Sequence, residues 1–242
     1  MKIFFLNIMF LGFLTLNSAG VQELSNSEIS LLQVGQYHGK EVSAQSGELW
    51  FGLYQTEKGY ELIPSRISIE SINDAIVDDK DQKTGKKVSV DEPSEPLFLV
   101  KGLKNLKSGL VKTVFSGKKF LYPAESISFK LGGKNYYNLT AFGEVKDREG
   151  GKPFEIIISN YSIKISRSPW EYSQVLVSFD LLAMDGIPTL LWAGDLDGDG
   201  KLDLLMDLTN HYNLTVYTLF LSSLSEGNNL LKKAAEFRTT GC

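Results

Sequence analysis

Apolar and polar residues alternate along most of the chain, in short runs that begin near residue 47 and are separated by glycine, proline and serine. This period of two is typical of strands with one buried face, and the period of a helix hardly occurs. The runs lie at 48–54, 59–63, 67–72, 97–100, 111–115, 127–131, 136–142, 154–159, 162–166, 174–179, 189–193, 202–208, 214–221 and 230–237. The pattern predicts a mainly β protein of antiparallel sheets, sandwich or propeller-blade-like, with two small β domains as an open alternative.

The first 20 residues have the pattern of a secretory signal peptide. Lys2 gives a positive start, residues 3–16 are almost entirely apolar, and the small residues Ala19 and Gly20 follow. The apolar stretch is too short to span a bilayer comfortably, which favours a cleaved leader over a retained anchor. We expect a secreted or periplasmic protein with no stable membrane insertion after signal cleavage.

A charged segment divides the rest of the chain. Residues 78–96 are rich in aspartate, glutamate and lysine and contain two prolines, a composition that favours an exposed loop or linker. We therefore expect an N-terminal β region at 21–80, a charged linker or loop at 81–96, and a C-terminal β domain at 97–242.

The overall charge argues against some partners. The formal net charge is −4, and loss of the single positive charge of Lys2 with the leader makes it −5. Nucleic acids and anionic membrane surfaces select clustered basic faces, which this sequence lacks. We therefore expect no nucleic-acid partner.

The cysteine and the glycosylation tripeptides give little information on the fold or the function. Cys242 is the only cysteine, so no disulfide can form within the chain; it either pairs with another chain or packs as a free thiol. The tripeptides at Asn138, Asn160 and Asn213 fit the glycosylation pattern, which matters only in a eukaryotic secretory route.

The strongest chemical signal is the segment 195–203, Asp-Leu-Asp-Gly-Asp-Gly-Lys-Leu-Asp, between two predicted strands. Calcium takes six to eight oxygen ligands, and a short loop can supply several of them. The candidate ligands are the carboxylates of Asp195, Asp197, Asp199 and Asp203 and the backbone carbonyl of Lys201, and the glycine at 200 permits the bend. The cofactor expected here is Ca²⁺. The alternative is an acidic hairpin turn without an ion.

The loop is not an EF-hand, because the twelfth residue counted from Asp195 is Met206 rather than glutamate and both flanks have strand patterns. The spacing Asp-x-Asp-x-Asp-Gly-x-x-Asp resembles the calcium-binding hairpin loops of integrin α-subunit propellers and of bacterial FG-GAP or VCBS-type repeats. This resemblance implies calcium held by the same five residues. Propellers repeat such a loop in successive blades, whereas one copy is found here, so a sandwich or two small β domains is favoured.

Residues for catalysis are sparse. Outside the leader the histidines are His38 and His211, and neither a Gly-x-Ser-x-Gly elbow nor a His-Glu-x-x-His zinc helix occurs. Candidates for a glycosidase-type carboxylate pair are Glu125, Glu144 and Glu155, none of which stands out.

Aromatic residues offer a weak signal for sugar binding. One interpretation of six aromatic residues is a platform on which sugar rings stack, although aromatic residues in β proteins more often pack in the core or in cross-strand pairs. The candidates are Trp50, Tyr54, Tyr60, Tyr136, Tyr137 and Trp170.

The sequence thus favours a secreted or periplasmic calcium-binding β protein with a structural or binding role, in which calcium organises one hairpin. Its partner is an unknown protein or carbohydrate ligand. The alternative is an exported hydrolase in which calcium has a stabilising role, and an adhesion module ranks third.

Overall fold

The computed structural model of the chain describes residues 28–104, 106–146, 156–169, 172–211 and 213–241. The predicted signal peptide at 1–20 and the terminal Cys242 lie outside these residues. Within them, the one helical segment is a single 3-10 turn at Met184–Gly186. The mainly β prediction is confirmed.

Most strands lie on predicted runs. Three strands, at 30–32, 35–37 and 85–90, were not predicted, and two strands, at 59–72 and 157–168, each join two predicted runs. In chain order they are β1 (Ser30–Leu32), β2 (Gly35–Tyr37), β3 (Leu49–Thr56), β4 (Gly59–Ile72), β5 (Gly85–Val90), β6 (Phe98–Lys101), β7 (Gly109–Phe120), β8 (Ser126–Gly132), β9 (Asn135–Lys146), β10 (Ile157–Ser168), β11 (Tyr172–Ala183), β12 (Thr189–Asp195), β13 (Asp203–Asp207), β14 (Leu214–Leu221) and β15 (Lys232–Thr240).

These strands form two antiparallel sheets. The large sheet has 11 strands with the path β1-β6-β3-β4-β7-β12-β13-β14-β15, and β5 joins β4 while β2 joins β5. It curls until β1 lies beside β15, so it is nearly closed. The small sheet has four strands in the order β11-β10-β9-β8. No helix in the described part of the chain is long and apolar enough to cross a membrane.

The charged segment 81–96 contains strand β5, which pairs with β4 on one side and β2 on the other. Val88 of this strand is buried opposite Ile69, so the charges lie around an apolar contact rather than along a free linker. The pairings of β4 with β7 and of β3 with β6 join strands from 21–80 to strands from 97–242. The two predicted regions therefore contribute to one sheet.

The hairpin of β12 and β13 forms the wall between two apolar cores. Trp192 and Leu205 point into the core enclosed by the large sheet. Leu190, Leu204 and Met206 point the other way, into a core shared with the small sheet. Both faces of these strands are buried, and their sequences are accordingly almost continuously apolar. Burial of each side chain of this size contributes about 1.5–3 kcal/mol to the free energy of unfolding.

Gly194 permits a close approach of β12 to β7. A Cβ atom at this position would lie 2.4 Å from Cζ2 of Trp192 and 2.5 Å from the carbonyl oxygen of Lys112. We predict that Gly194→Ala lowers the free energy of unfolding by about 1–3 kcal/mol, because the surrounding backbone must shift. Urea denaturation measures this. The matched control is Gly241→Ala, whose Cβ meets open space; equal losses in both variants would contradict the close approach.

Candidate metal centre

The acidic loop connects β12 to β13 and is anchored at both ends. Leu196 packs into the core of the large sheet, and Leu202 packs into the core shared with the small sheet. Between them, Gly198 and Gly200 have φ angles of 77° and 81°, in the left-handed region that glycine adopts without steric cost. The chain therefore reverses direction between two buried leucines.

This reversal brings three of the predicted ligands together. One carboxylate oxygen from each of Asp195, Asp197 and Asp203 lies within 4.8 Å of the others. Oxygen ligands of calcium lie about 2.3–2.6 Å from the ion, so ligands of one ion are less than about 5.2 Å apart. The three side chains, called the Asp triad below, can therefore hold a metal ion, although this spacing alone does not select calcium.

Asp203 is the most buried member of the Asp triad, with 0% of its surface exposed. Its Oδ2 accepts a hydrogen bond from the backbone N–H of Leu196, and its Oδ1 accepts one from the N–H of Ser222, both at 2.8 Å. Burial raises the pKa of Asp203 to about 8, although these donors oppose the rise. Burial therefore favours a proton on this carboxyl, or a cation beside it, over the free carboxylate.

Asp195 supplies an oxygen that lacks a partner. Its Oδ2 accepts a hydrogen bond from the N–H of Gly200 at 3.0 Å. Its Oδ1 is buried and has no hydrogen-bond partner among the described residues. Burial raises the pKa of Asp195, and the charges of Asp199 and Asp197 add to the rise. An unsatisfied buried acceptor costs about 1–3 kcal/mol, and a bound cation removes that cost. The residues present therefore fit a metal ion.

The other predicted ligands lie on the same turn. Asp199 is not part of the Asp triad; its two carboxylate oxygens are each 3.1 Å from the hydroxyl of Ser222. Asp199 also lies 3.6 Å from Nζ of Lys201 and accepts a hydrogen bond from the Lys201 N–H at 2.8 Å. Ligation by Asp199 and by the Lys201 carbonyl stays a prediction.

Sequence reasoning missed two serines from the next hairpin. The hydroxyl of Ser222 lies 3.0 Å from Oδ1 of Asp203 and also near Asp199, but it has one proton to donate. The hydroxyl of Ser223 donates to Oδ2 of Asp197. Both serines directly follow the apolar run of β14, the strand beside β13. Their place at the end of this run is the one feature of the sequence that points to them. Even with these donors, Oδ1 of Asp195 has no hydrogen-bond partner among the described residues.

The sequence analysis also did not predict the polar pair formed by His38 and Asp74. Nδ1 of His38, just after β2, lies 2.5 Å from Oδ2 of Asp74, just after β4. This hydrogen bond raises the pKa of His38 and lowers that of Asp74. The pair lines a cleft of about 350 Å³ together with Glu41 and Thr240. The residues are far apart in sequence, so only the pairing of β2, β5 and β4 brings them together.

The carboxylates suggested for hydrolysis have ordinary structural roles where the structure describes them. Glu125 pairs with Nζ of Lys119 at 2.8 Å, and this bond lowers its pKa. A general acid at neutral pH requires a raised pKa. Glu144 is exposed, and Glu155 lies outside the described residues.

The suggested aromatic platform is divided between core and surface. Trp50, Tyr54 and Tyr137 are buried, with exposures of 4%, 1% and 3%. Tyr136 is 44% exposed, and Trp170 lies outside the described residues.

His211, the second histidine outside the leader, has Nδ1 2.5 Å from Oδ1 of Asn213.

No protein-family model matches the chain, and neither the curated proteins nor the solved structures contain a match. The metal centre therefore rests on the geometry of its own residues.

Without a metal ion, we predict that the protein loses stability as the pH rises. The pKa of Asp203 is about 8 in the native state, against about 3.9 in an unfolded chain. Between these values the native state keeps a proton that the unfolded state has released, so the free energy of unfolding falls by up to about 1.4 kcal/mol per pH unit. Urea unfolding in EDTA between about pH 5 and pH 8 measures the slope.

The control for this slope is Asp203→Asn, which cannot titrate and keeps one oxygen for the backbone donors. We expect its stability in EDTA to vary less with pH than that of the wild-type protein. A wild-type protein whose stability rises over the same range would contradict the burial of this carboxyl. Saturating calcium should flatten the wild-type slope, since a cation replaces the proton.

Proposed function

We propose that this protein is an exported calcium-binding β protein in which the ion orders the β12–β13 hairpin, with a structural or binding role. The observation that supports this most directly is that Asp195, a member of the Asp triad, has a buried Oδ1 with no partner among the described residues. A cation beside it satisfies this oxygen and offsets the repulsion between the three carboxylates.

Calcium suits the donor set better than most other ions. The candidate donors are all oxygens, which favours calcium, magnesium or manganese over zinc and copper. The loop is irregular and contains two glycines, whereas magnesium requires a near-ideal octahedron and keeps several waters. The likeness of the loop to FG-GAP and VCBS-type repeats supports the same choice.

The position of the loop gives the ion a structural effect. The β12–β13 hairpin separates the two cores, and the loop is held at Leu196 and Leu202, one in each core. Asp203 also accepts the N–H of Ser222 at the end of β14. An ion bound to the Asp triad therefore stabilises two consecutive hairpins and both cores together.

Export and the kind of partner belong to the same proposal. The leader pattern at residues 1–20 supports a secreted or periplasmic protein, where millimolar calcium meets the modest affinity of extracellular calcium modules, about 10⁻⁴–10⁻³ M. The net charge of −4 supports a protein or carbohydrate partner rather than a nucleic acid.

We predict that calcium raises the melting temperature of the EDTA-stripped protein. At about ten times the dissociation constant, the native state gains about 1.4 kcal/mol, which corresponds to roughly 3–6 °C for a chain of this size. Differential scanning fluorimetry with calcium or EDTA measures the shift.

The Asp triad is tested by Asp197→Ala, which removes the ligand oxygens of this side chain and should abolish the calcium shift. The matched control is Asp81→Ala, which removes the same group from an exposed residue of the charged segment and should keep the shift. If Asp197→Ala still responds fully to calcium, the ion binds elsewhere.

A further inference from the structure

A cleft of about 280 Å³ lies beside the metal loop, between the small sheet and the β14–β15 loop. This volume is near the lower end of small-molecule sites and suits a single sugar ring. Its polar and aromatic lining residues include Tyr137 of β9, Arg167 of β10, Tyr172 of β11, Lys201 of the acidic loop, and Asn228 and Asn229 of the β14–β15 loop.

The cleft has two cationic side chains, Arg167 and Lys201, and no acidic residue among its described lining residues. The guanidinium of Arg167 lies 5.8 Å from the ring centre of Tyr137 and donates through Nη2 to Oδ1 of Asn135 at 2.9 Å. Its Nε is buried and has no acceptor among the described residues. A planar cation that is held in place at the wall of a cleft is suited to a carboxylate.

The remaining lining residues suit a polyhydroxylated ring. The ring of Tyr172 is 41% exposed, so it offers an apolar face at the mouth of the cleft. Asn228 and Asn229 are exposed amides, and each side chain both donates and accepts hydrogen bonds. Aromatic faces with neighbouring amides match the apolar faces and hydroxyl edges of a sugar.

The wall that carries these amides is fixed to the small sheet. Gln174 of β11 donates through Nε2 to the carbonyl oxygen of Leu231 at 2.7 Å. Its Oε1 accepts the N–H groups of Leu230 and Leu231 at 2.8 and 3.0 Å. One side chain thus makes three hydrogen bonds to the β14–β15 loop, so the cleft is formed before a ligand arrives.

We propose that this cleft binds a carbohydrate unit that carries a carboxylate, such as a uronic acid, and that calcium in the metal loop strengthens this binding. The carboxylate pairs with Arg167 and Lys201, the ring packs on Tyr172, and the hydroxyls bind the two asparagines.

The coupling to calcium follows from the charges at the shared wall. Nζ of Lys201 lies 3.6 Å from Oδ2 of Asp199, so the acidic loop partly neutralises this cation. Burial raises the pKa of Tyr137, the charge of Arg167 opposes the rise, and the charges of Asp199 and Asp203 add to it, so these charges act on a residue that lines the cleft. A divalent ion cancels part of this negative field and leaves the cleft more positive. This coupling rests on the proposed function, whereas the cleft rests on its own residues.

The test is an NMR titration of the whole protein with methyl β-glucuronide and, in parallel, methyl β-glucoside, which lacks only the carboxylate. In calcium we expect saturable shifts with the glucuronide and at least about tenfold weaker binding of the glucoside. In EDTA the glucuronide should bind several-fold more weakly, because site coupling is typically 5–150-fold.

Variants locate the site. Arg167→Gln and Lys201→Gln should each weaken glucuronide binding by about tenfold, whereas Lys58→Gln, an exposed lysine in the β3–β4 turn, should leave it unchanged. If Arg167→Gln fails to fold, Lys201→Gln and the ring variant Tyr172→Ala still test the cleft, because both side chains are largely exposed.

The outcomes separate the two proposals. Absent glucuronide binding while calcium still raises the melting temperature would overturn the cleft and leave the metal centre intact. Equal glucuronide affinity in calcium and EDTA would overturn the coupling. If sodium sulfate at matched ionic strength competes as strongly as the glucuronide, the cleft is a general anion site and the sugar assignment is wrong.

Discussion

A carboxylate buried between two apolar cores is the constraint on which the rest of this structure depends. Asp203 begins β13 at the point where the β12–β13 hairpin separates the core of the large sheet from the core shared with the small sheet. Its two oxygens hold the backbone N–H groups of Leu196 and Ser222, which belong to two different connections. The native state is therefore more stable when this charge is removed by a proton or offset by a cation.

The same carboxylate links the acidic loop to its surroundings. Ser222 connects it to the β14–β15 loop, and this loop is tied to the small sheet through Gln174. The cleft lined by Arg167 and Lys201 lies between the small sheet and this loop. A change of charge in the Asp triad thus acts on elements that all pack against one another, which is the physical basis of the proposed coupling between the cleft and a bound ion.

Much of the fold was accessible from the sequence because half-buried strands alternate. The runs around β3, β4 and β9 show this pattern, and the structure places strands there. The glycine and aspartate spacing of 195–203 likewise indicated a metal loop between two strands, and the Asp triad has the geometry to hold an ion.

Contacts between distant segments were not accessible in the same way. The hydroxyls of Ser222 and Ser223 complete the acidic loop only because β14 pairs with β13, and one sequence carries no direct record of that pairing. The charged composition of 81–96 likewise did not predict β5, in which the apolar Val88 and Val90 follow two lysines and only Val88 is fully buried. Local composition reports exposure well, but it does not report which strand lies next to which.

The most direct test is a crystal grown with calcium and measured for anomalous scattering. The account predicts one strong peak at the loop, about 2.3–2.6 Å from oxygens of Asp195, Asp197 and Asp203. Clear density for the three carboxylates with no peak among them, at calcium concentrations well above the millimolar range, would contradict it.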